Sequence, residues 1–226
     1  MKSMKSQQSG FTLVEIAIVL VIIGLLLGGI LKGQELINSA KVKNLAQDFK
    51  TVPLFIYGYQ DRFKALPGDD KNAITNLGSA NAALANGTGD GVINGAWNAT
   101  AAATESVQFW LAVRMANFAP GSTDFSTTAS LPKNVDGGPI GITSNTTTGA
   151  TPNAPVANMT GTYAFCSGSL LGKYAKQLDT TLDDGNTATG SVRVIDNPPV
   201  PQTAAATALA NSAVDDATTY TVCMTF

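Results

Sequence analysis

The chain contains no histidine in 226 residues. The commonest general base and the commonest metal-ligating side chain are therefore both missing. Cysteine is nearly absent as well. Cys166 and Cys223 lie 57 residues apart, so neither belongs to a CxxC metal or redox motif. In an exported domain the simplest arrangement pairs them, and the alternative is two buried thiols. Charge is scarce, at 13% Asp, Glu, Lys and Arg, with a net value of −2 and no run of one sign. A chain without a basic patch gives no support to nucleic-acid binding by bulk charge. There is also no GxSxG, no phosphate-binding glycine loop and no cluster of metal ligands, so the sequence does not read as an enzyme. The acidic pairs Asp69/Asp70 and Asp183/Asp184 are adjacent in sequence, which does not by itself bring two carboxylates onto one reacting group.

What is abundant is apolar residues, and they are unevenly placed. Phe11 to Leu31 is an apolar run interrupted by a single charge, Glu15. At about 1.5 Å per residue its helix would match the thickness of a hydrocarbon core, roughly 30 Å. Lys2 and Lys5 precede the run, and no acidic residue does. The positive-inside rule then keeps residues 1–10 cytoplasmic and sends the remainder outward. A secretory signal has a shorter apolar core followed by a small-residue cleavage site. Here the small residue, Gly10, comes first, so a cut after it removes a short leader and leaves the apolar helix on the mature chain.

An ionised carboxylate inside a membrane is expensive until it finds a partner. Cleavage after Gly10 would create a positive amine on Phe11, close in depth to Glu15. The carboxylate of one chain could then meet the amine of a neighbour. Gly24, Gly28, Gly29 and Gly33 form two small-xxx-small pairs that permit close helix approach in lipid. The same glycines weaken the helix and leave open a local unwinding near Gly24–Gly33.

Beyond Lys32 the pattern becomes amphipathic. Val42, Leu45, Phe49, Val52, Ile56, Tyr59 and Phe63 recur at alternating steps of three and four, a helical stripe suited to packing on a core. The reading is one helix over Thr12–Phe63, with Pro53 expected to kink it or remove a hydrogen bond, and Leu66-Pro67-Gly68 as the turn beyond. Downstream, Ala, Gly, Thr, Asn and Ser dominate. Residues 105–118 and 170–178 are expected as short helices, the first partly buried. Thr162–Cys166, Ser191–Ile195 and Thr219–Phe226 carry the β-branched and aromatic content of strands. Residues 125–155, rich in Thr, Ser, Gly, Asn and Pro, read as a long exposed excursion. The fold class is α+β: a long N-terminal helix packed on a small C-terminal antiparallel sheet with long loops. The expected segments are a leader at 1–10, a transmembrane and assembly half-helix at 11–31, an amphipathic half at 32–64 and an exposed β-rich domain at 65–226.

One acidic turn is a candidate calcium site by its spacing, although nothing in the sequence requires a cofactor. Asn86, Thr88 and Asp90, followed by Gly91 and Ile93, match the first half of an EF-hand spacing, but Trp97 stands where the bidentate glutamate is needed. Asp69 and Asp70 could complete such a site. A second acidic turn, Asp179, Asp183, Asp184 and Gly185, reads from its residues as a solvated turn or cap. Sequons at Asn86, Asn98, Asn145 and Asn158 arise easily in so Asn- and Thr-rich a chain and say little about glycosylation.

The stretch Gly10-Phe11-Thr12-Leu13-Val14-Glu15 behind a short basic leader resembles the type IV prepilin signal shared by pilins and the pseudopilins of type II secretion. Tyr57–Asp70, Glu105–Trp110 and Leu182–Gly190 are similar to segments found in bacterial pilin-like proteins, and the second acidic turn is similar to calcium-stabilised loops of some pseudopilins. The resemblance implies cleavage after Gly10 by a prepilin peptidase, methylation of the Phe11 amine, and assembly through Glu15, with Gly24 and Gly28 at the helix packing face. It implies a single-pass precursor in the bacterial inner membrane, engagement of an inner-membrane assembly platform, and a helical homopolymer, either an extracellular pilus or a periplasmic secretion filament. The length and the Thr-rich excursion favour a pilus subunit; a pseudopilin, or a minor pilin with an adhesive or DNA-uptake role, is the alternative.

Overall fold

The computed structural model describes residues 12–78, 81–146 and 153–226. Its first element is a single helix, α1 (Leu13–Phe63), which runs on through Pro53 without a break in the assignment. The chain divides into two compact units, one ending at Lys41 and the other Val42–Phe226, and α1 contributes to both.

In the first unit α1 is exposed throughout its apolar stretch. Leu13 is 90% and Leu25 73% accessible, and Ile16, Leu20, Leu26, Ile30 and Leu31 are likewise uncovered. This is the one helix among the described residues long and apolar enough to cross a membrane. A helix apolar on every side has no aqueous face to present, so lipid or other helices must cover it.

In the second unit α1 turns amphipathic, and the three-four stripe lies inward as its spacing demands. Val42, Leu45, Phe49, Val52, Ile56 and Tyr59 are buried, and Phe63 is half-buried. Val42, Leu45, Phe49, Val52 and Ile56 share one core with a four-stranded antiparallel sheet of order β1-β2-β4-β3, made of β1 (Ile140–Ser144), β2 (Tyr163–Leu171), β3 (Val192–Ile195) and β4 (Thr219–Thr225), whereas Tyr59 and Phe63 pack with Ala112 and Ala116. Phe49 meets Phe165 of β2 edge-on, with ring centroids 4.8 Å apart, a geometry aromatic quadrupoles favour. Alternation along the strands then divides the apolar residues between two faces. Phe165, Val192, Val194 and Val222 join the core beneath α1. Cys166, Ile195 and Cys223 face the other way, with Trp97, Val156 and Met159. Cys166 and Cys223 are directly opposed across β2 and β4 and form a disulfide.

Three further helices complete the unit: α2 (Ala73–Leu77), α3 (Glu105–Met115) and α4 (Gly172–Leu182). α3 differs from the expectation of partial burial, because every residue from Glu105 to Arg114 is buried. It is a core helix, and its polar residues are used internally. Gly68 lets the chain pass close beneath it. Its φ is +88°, and a Cβ there would fall 2.4 Å from the Glu105 carbonyl oxygen.

The described part of 125–155 also departs from the reading of an exposed excursion. It contains β1, one of the two edge strands of the sheet, and buries Phe125, Ile142 and Ala154. Four of the five residues of β1, Gly141 to Ser144, are buried, yet the strand is bracketed by Gly and Pro on one side and Asn and Thr on the other. Five residues of mixed type give too little alternation to stand out against such flanks.

Candidate functional site

The N-terminal end of α1 is built from a Thr-x-x-Glu capping box. Thr12 is the residue before the helix and Glu15 the third within it. The Thr12 backbone N–H and hydroxyl both donate to Glu15 Oε2, each at 2.8 Å, and the Glu15 N–H donates back to Thr12 Oγ1 at 3.3 Å. The arrangement satisfies helix-end donors that have no partner one turn earlier, and it places a negative charge at the positive end of the helix dipole. Glu15 is thus not a stray charge in an apolar run: its own helix holds it, while the carboxylate remains exposed. The signal was present in the sequence as a Thr three residues ahead of the Glu, before an apolar run. Gly10 and Phe11, the expected cleavage and methylation positions, lie outside the described residues.

Further along, a Cβ added at Gly24, Gly28, Gly29 or Gly33 would meet nothing within 4 Å. Within the chain, therefore, these glycines accommodate no packed neighbour. A space left open on an apolar surface suits the close approach of another helix in lipid. Lys32 and Glu35 then pair at 2.7 Å where the apolar stretch gives way to polar residues.

The first acidic turn is organised by a buried carboxylate. Asp69, 3% exposed, accepts from the N–H groups of Gly89 at 2.6 Å, Asp90 at 3.2 Å and Gly91 at 2.8 Å, and from the Thr88 hydroxyl at 3.0 Å. The loop amides thus surround a protein anion. Asp90 itself caps its own turn, accepting from Val92 N–H at 2.9 Å and Asn94 Nδ2 at 3.3 Å. Asn86 accepts from Ile74 N–H at 2.9 Å. Asp70 receives the Tyr59 hydroxyl at 2.9 Å, Asn72 N–H at 2.8 Å and Asn76 Nδ2 at 2.7 Å; burial, reinforced by this carboxylate, pushes the Tyr59 hydroxyl pKa far up. Two residues of α3 that the sequence reading left without a role hold the same region. Glu105 accepts from Thr88 and Asn94 N–H, each at 2.8 Å, and Gln108 accepts from Ala85 N–H at 3.0 Å while donating to the Ala83 and Ala102 carbonyls. The EF-hand spacing at Asn86–Asp90 is used here as turn chemistry, and Asp90 is not brought together with two other carboxylates among the described residues.

The second acidic turn does converge. One carboxylate oxygen from each of Asp179, Asp183 and Asp184 lies within 4.8 Å of the others. Asp179, on the last turn of α4, is buried, and its pKa is pushed up to about 7, first by burial and then by the charges of Asp184 and Asp183. Asp183, the residue after α4, accepts from the N–H groups of Ser191 and Val192. Asp184 accepts from Asn186 N–H and the Thr189 hydroxyl, which hold its carboxyl below the usual range.

An exposed apolar helix with a capped acidic start, joined to a globular α+β unit, fits the class of anchored or polymerising structural subunits. Comparison with known families then makes the class more specific: residues 5–31 match the prokaryotic N-terminal methylation motif, the prepilin signal of type IV pilins and pseudopilins. That signal implies processing by a prepilin peptidase and pilus-type assembly. With the apolar helix it is consistent with a membrane-anchored precursor. The match is confined to the N-terminal segment, and no curated protein and no solved structure matches the chain.

Proposed function

We propose that this protein is a structural subunit of a type IV pilus-like filament, cleaved after Gly10, methylated on Phe11 and polymerised through its N-terminal helix. The observation that carries the reading is the methylation motif over residues 5–31, coincident with a helix whose apolar surface is left uncovered by its own chain. Burying that surface is favourable at about 25 cal/mol per Å², in lipid before assembly and against neighbouring helices after it. In lipid, small residues at 24, 28, 29 and 33 favour the tightest approach. Glu15 supplies a directional element. Its negative charge is matched by the amine that cleavage creates on a neighbouring Phe11, so chains stagger until the two meet. The precursor sits in the inner membrane with residues 1–10 cytoplasmic, and its partners are the peptidase, an assembly platform and further copies of itself.

Mass spectrometry of the N-terminal peptide tests this, taken separately from sheared extracellular filaments and from membranes. A peptide beginning at N-methyl-Phe11 in the sheared fraction is expected, and Gly10→Val should leave the leader intact and remove the protein from that fraction. The processed peptide confined to membranes would instead indicate a secretion pseudopilin or an unassembled minor pilin. An intact leader in both fractions of the wild type would overturn the reading.

A further inference from the structure

We propose that a small cavity between α1 and α3 binds a free α-amino acid with an apolar side chain, its carboxylate held by Arg114 and its ammonium by Asp48. Two opposite charges share this space without meeting. The cavity, of about 260 Å³, is lined by Asp48 of α1 and Arg114 of α3, together with Val52, Phe55, Trp110 and Ile140. Asp48 is half-buried and has neither a hydrogen bond nor an ion pair among the described residues. Arg114 is 9% exposed, and its Nη1 donates to the Ser122 carbonyl at 2.8 Å and the Ser130 carbonyl at 2.6 Å. Its buried Nε has no partner, and no hydrogen bond engages Nη2 among the described residues. No ion pair joins Asp48 to Arg114.

Both groups behave as charges removed from water without a countercharge. Burial lowers the Arg114 pKa and raises that of Asp48, whereas pairing would drive each the other way. Desolvated charge of this kind is costly. A ligand that offers a negative group to one and a positive group to the other removes both costs. The Nε–Nη2 edge of a guanidinium is a fork that takes a carboxylate through two parallel hydrogen bonds. The two carbonyls on Nη1, and Phe125 with its ring centroid 5.2 Å from Cζ, hold that fork in place. An ionised Asp48 only accepts hydrogen bonds, which suits an ammonium. Thr51, also on the wall, is already occupied: it accepts from Gln47 Nε2 at 3.0 Å and donates to the Gln47 carbonyl at 2.8 Å.

Size and lining narrow the ligand further. Pockets for drug-sized ligands start at about 300 Å³, so the occupant here is small. The walls of Val52, Phe55, Trp110 and Ile140 favour an apolar side chain. A simple anion would leave Asp48 facing a like charge, and a simple cation would do the same to Arg114. A bridging water would serve both charges but leave the apolar space unfilled. The site lies wholly within the unit from Val42 to Phe226, so it stands or falls independently of the filament reading.

The test uses the full chain in detergent micelles, titrated with L-leucine by calorimetry and by thermal unfolding. Leucinamide, which lacks the carboxylate, and 4-methylpentanoate, which lacks the amine, are the comparison ligands. One L-leucine per chain is expected, with Kd on the order of 10⁻⁵–10⁻⁴ M, within what so few non-hydrogen atoms allow. Each comparison ligand should bind at least tenfold more weakly. At a hundredfold excess of L-leucine over Kd the unfolding midpoint should rise by roughly 5–10 °C. Asp48→Asn should weaken L-leucine at least tenfold, to the level of 4-methylpentanoate, while melting no lower than the ligand-free wild type. Arg114→Lys keeps the charge but loses the fork, and should abolish binding of both carboxylates. Arg114 also holds loop carbonyls, so Asp48→Asn decides the matter if the lysine variant does not fold. Asp61→Asn, at an exposed position on the same helix, should bind as the wild type does. A wild type that binds no L-leucine, a comparison ligand that binds as tightly, an undiminished response in Asp48→Asn, or a response lost in Asp61→Asn would each overturn the site.

Discussion

At the N-terminal end of α1 two functions compete for one carboxylate. Glu15 caps its own helix through Thr12, and in the proposed filament it also meets the amine of a neighbour. The two can be separated chemically. Glu15→Gln keeps an acceptor oxygen for the Thr12 N–H and hydroxyl but carries no charge, whereas Glu15→Leu removes both. If the charge sets the stagger between subunits, both variants insert into the membrane like the wild type and neither yields sheared filaments. Filaments of normal abundance from Glu15→Gln alone would reduce Glu15 to a helix cap. Quantifying the processed protein in the two fractions distinguishes these outcomes, because a cap needs hydrogen bonding and an intersubunit ion pair needs charge.

The elements were legible in the sequence where periodicity was long and obscure where it was short. The stripe from Val42 to Tyr59 covers several turns of α1, and all six of its spaced residues through Tyr59 are buried as the spacing requires. The strands β2 to β4 were visible by their β-branched and aromatic content rather than by length, since β3 has only four residues. β1 was not, since five residues between Gly/Pro-rich and Thr-rich flanks carry no pattern of their own, and only its pairing with β2 makes it a strand. α3 was visible as a helix but not as a core helix, because Glu105, Gln108 and Arg114 look like a solvated face. What buries them is the loop network they satisfy, and loop paths are not written in local sequence. The acidic turns illustrate the same limit: equal acidity at Asp69–Asp70 and at Asp183–Asp184 leads to saturated hydrogen bonding in one and an orphaned Asp179 beside the other. The network on α3 has a measurable consequence. Gln108→Leu keeps the volume of a buried residue but leaves the Ala85 N–H and the Ala83 and Ala102 carbonyls without their partner. A fully buried group so abandoned costs about 1–3 kcal/mol; these three are part-buried, so each sits at the low end and the variant should lose about 2 kcal/mol in denaturant unfolding. A change within about 0.5 kcal/mol would mean that these loop groups find water or other partners.

Across the whole molecule the two units are stabilised by different means. The unit ending at Lys41 buries none of its apolar window internally and depends on whatever surrounds it. The unit from Val42 to Phe226 closes its own core and ties β2 to β4 through Cys166 and Cys223, at a sequence separation of 57. In the chain-entropy account, a cross-link closing a loop of that size stabilises by about 4 kcal/mol through restriction of the unfolded chain. The site also faces a small cluster with Trp97 and Ile195, separate from the main core beneath α1, so few apolar contacts there can compensate for its loss. Cys166→Ser, or reduction by dithiothreitol, should therefore destabilise the globular unit without melting the apolar helix in its micelle. The near-ultraviolet signal of Trp97 and its neighbours should be lost at a lower temperature, by on the order of 10 °C. The helical far-ultraviolet signal in micelles should persist beyond that transition. Loss of both signals together would show that the helix depends on the fold it adjoins, and an unchanged midpoint would show that the sheet register holds without its covalent tie.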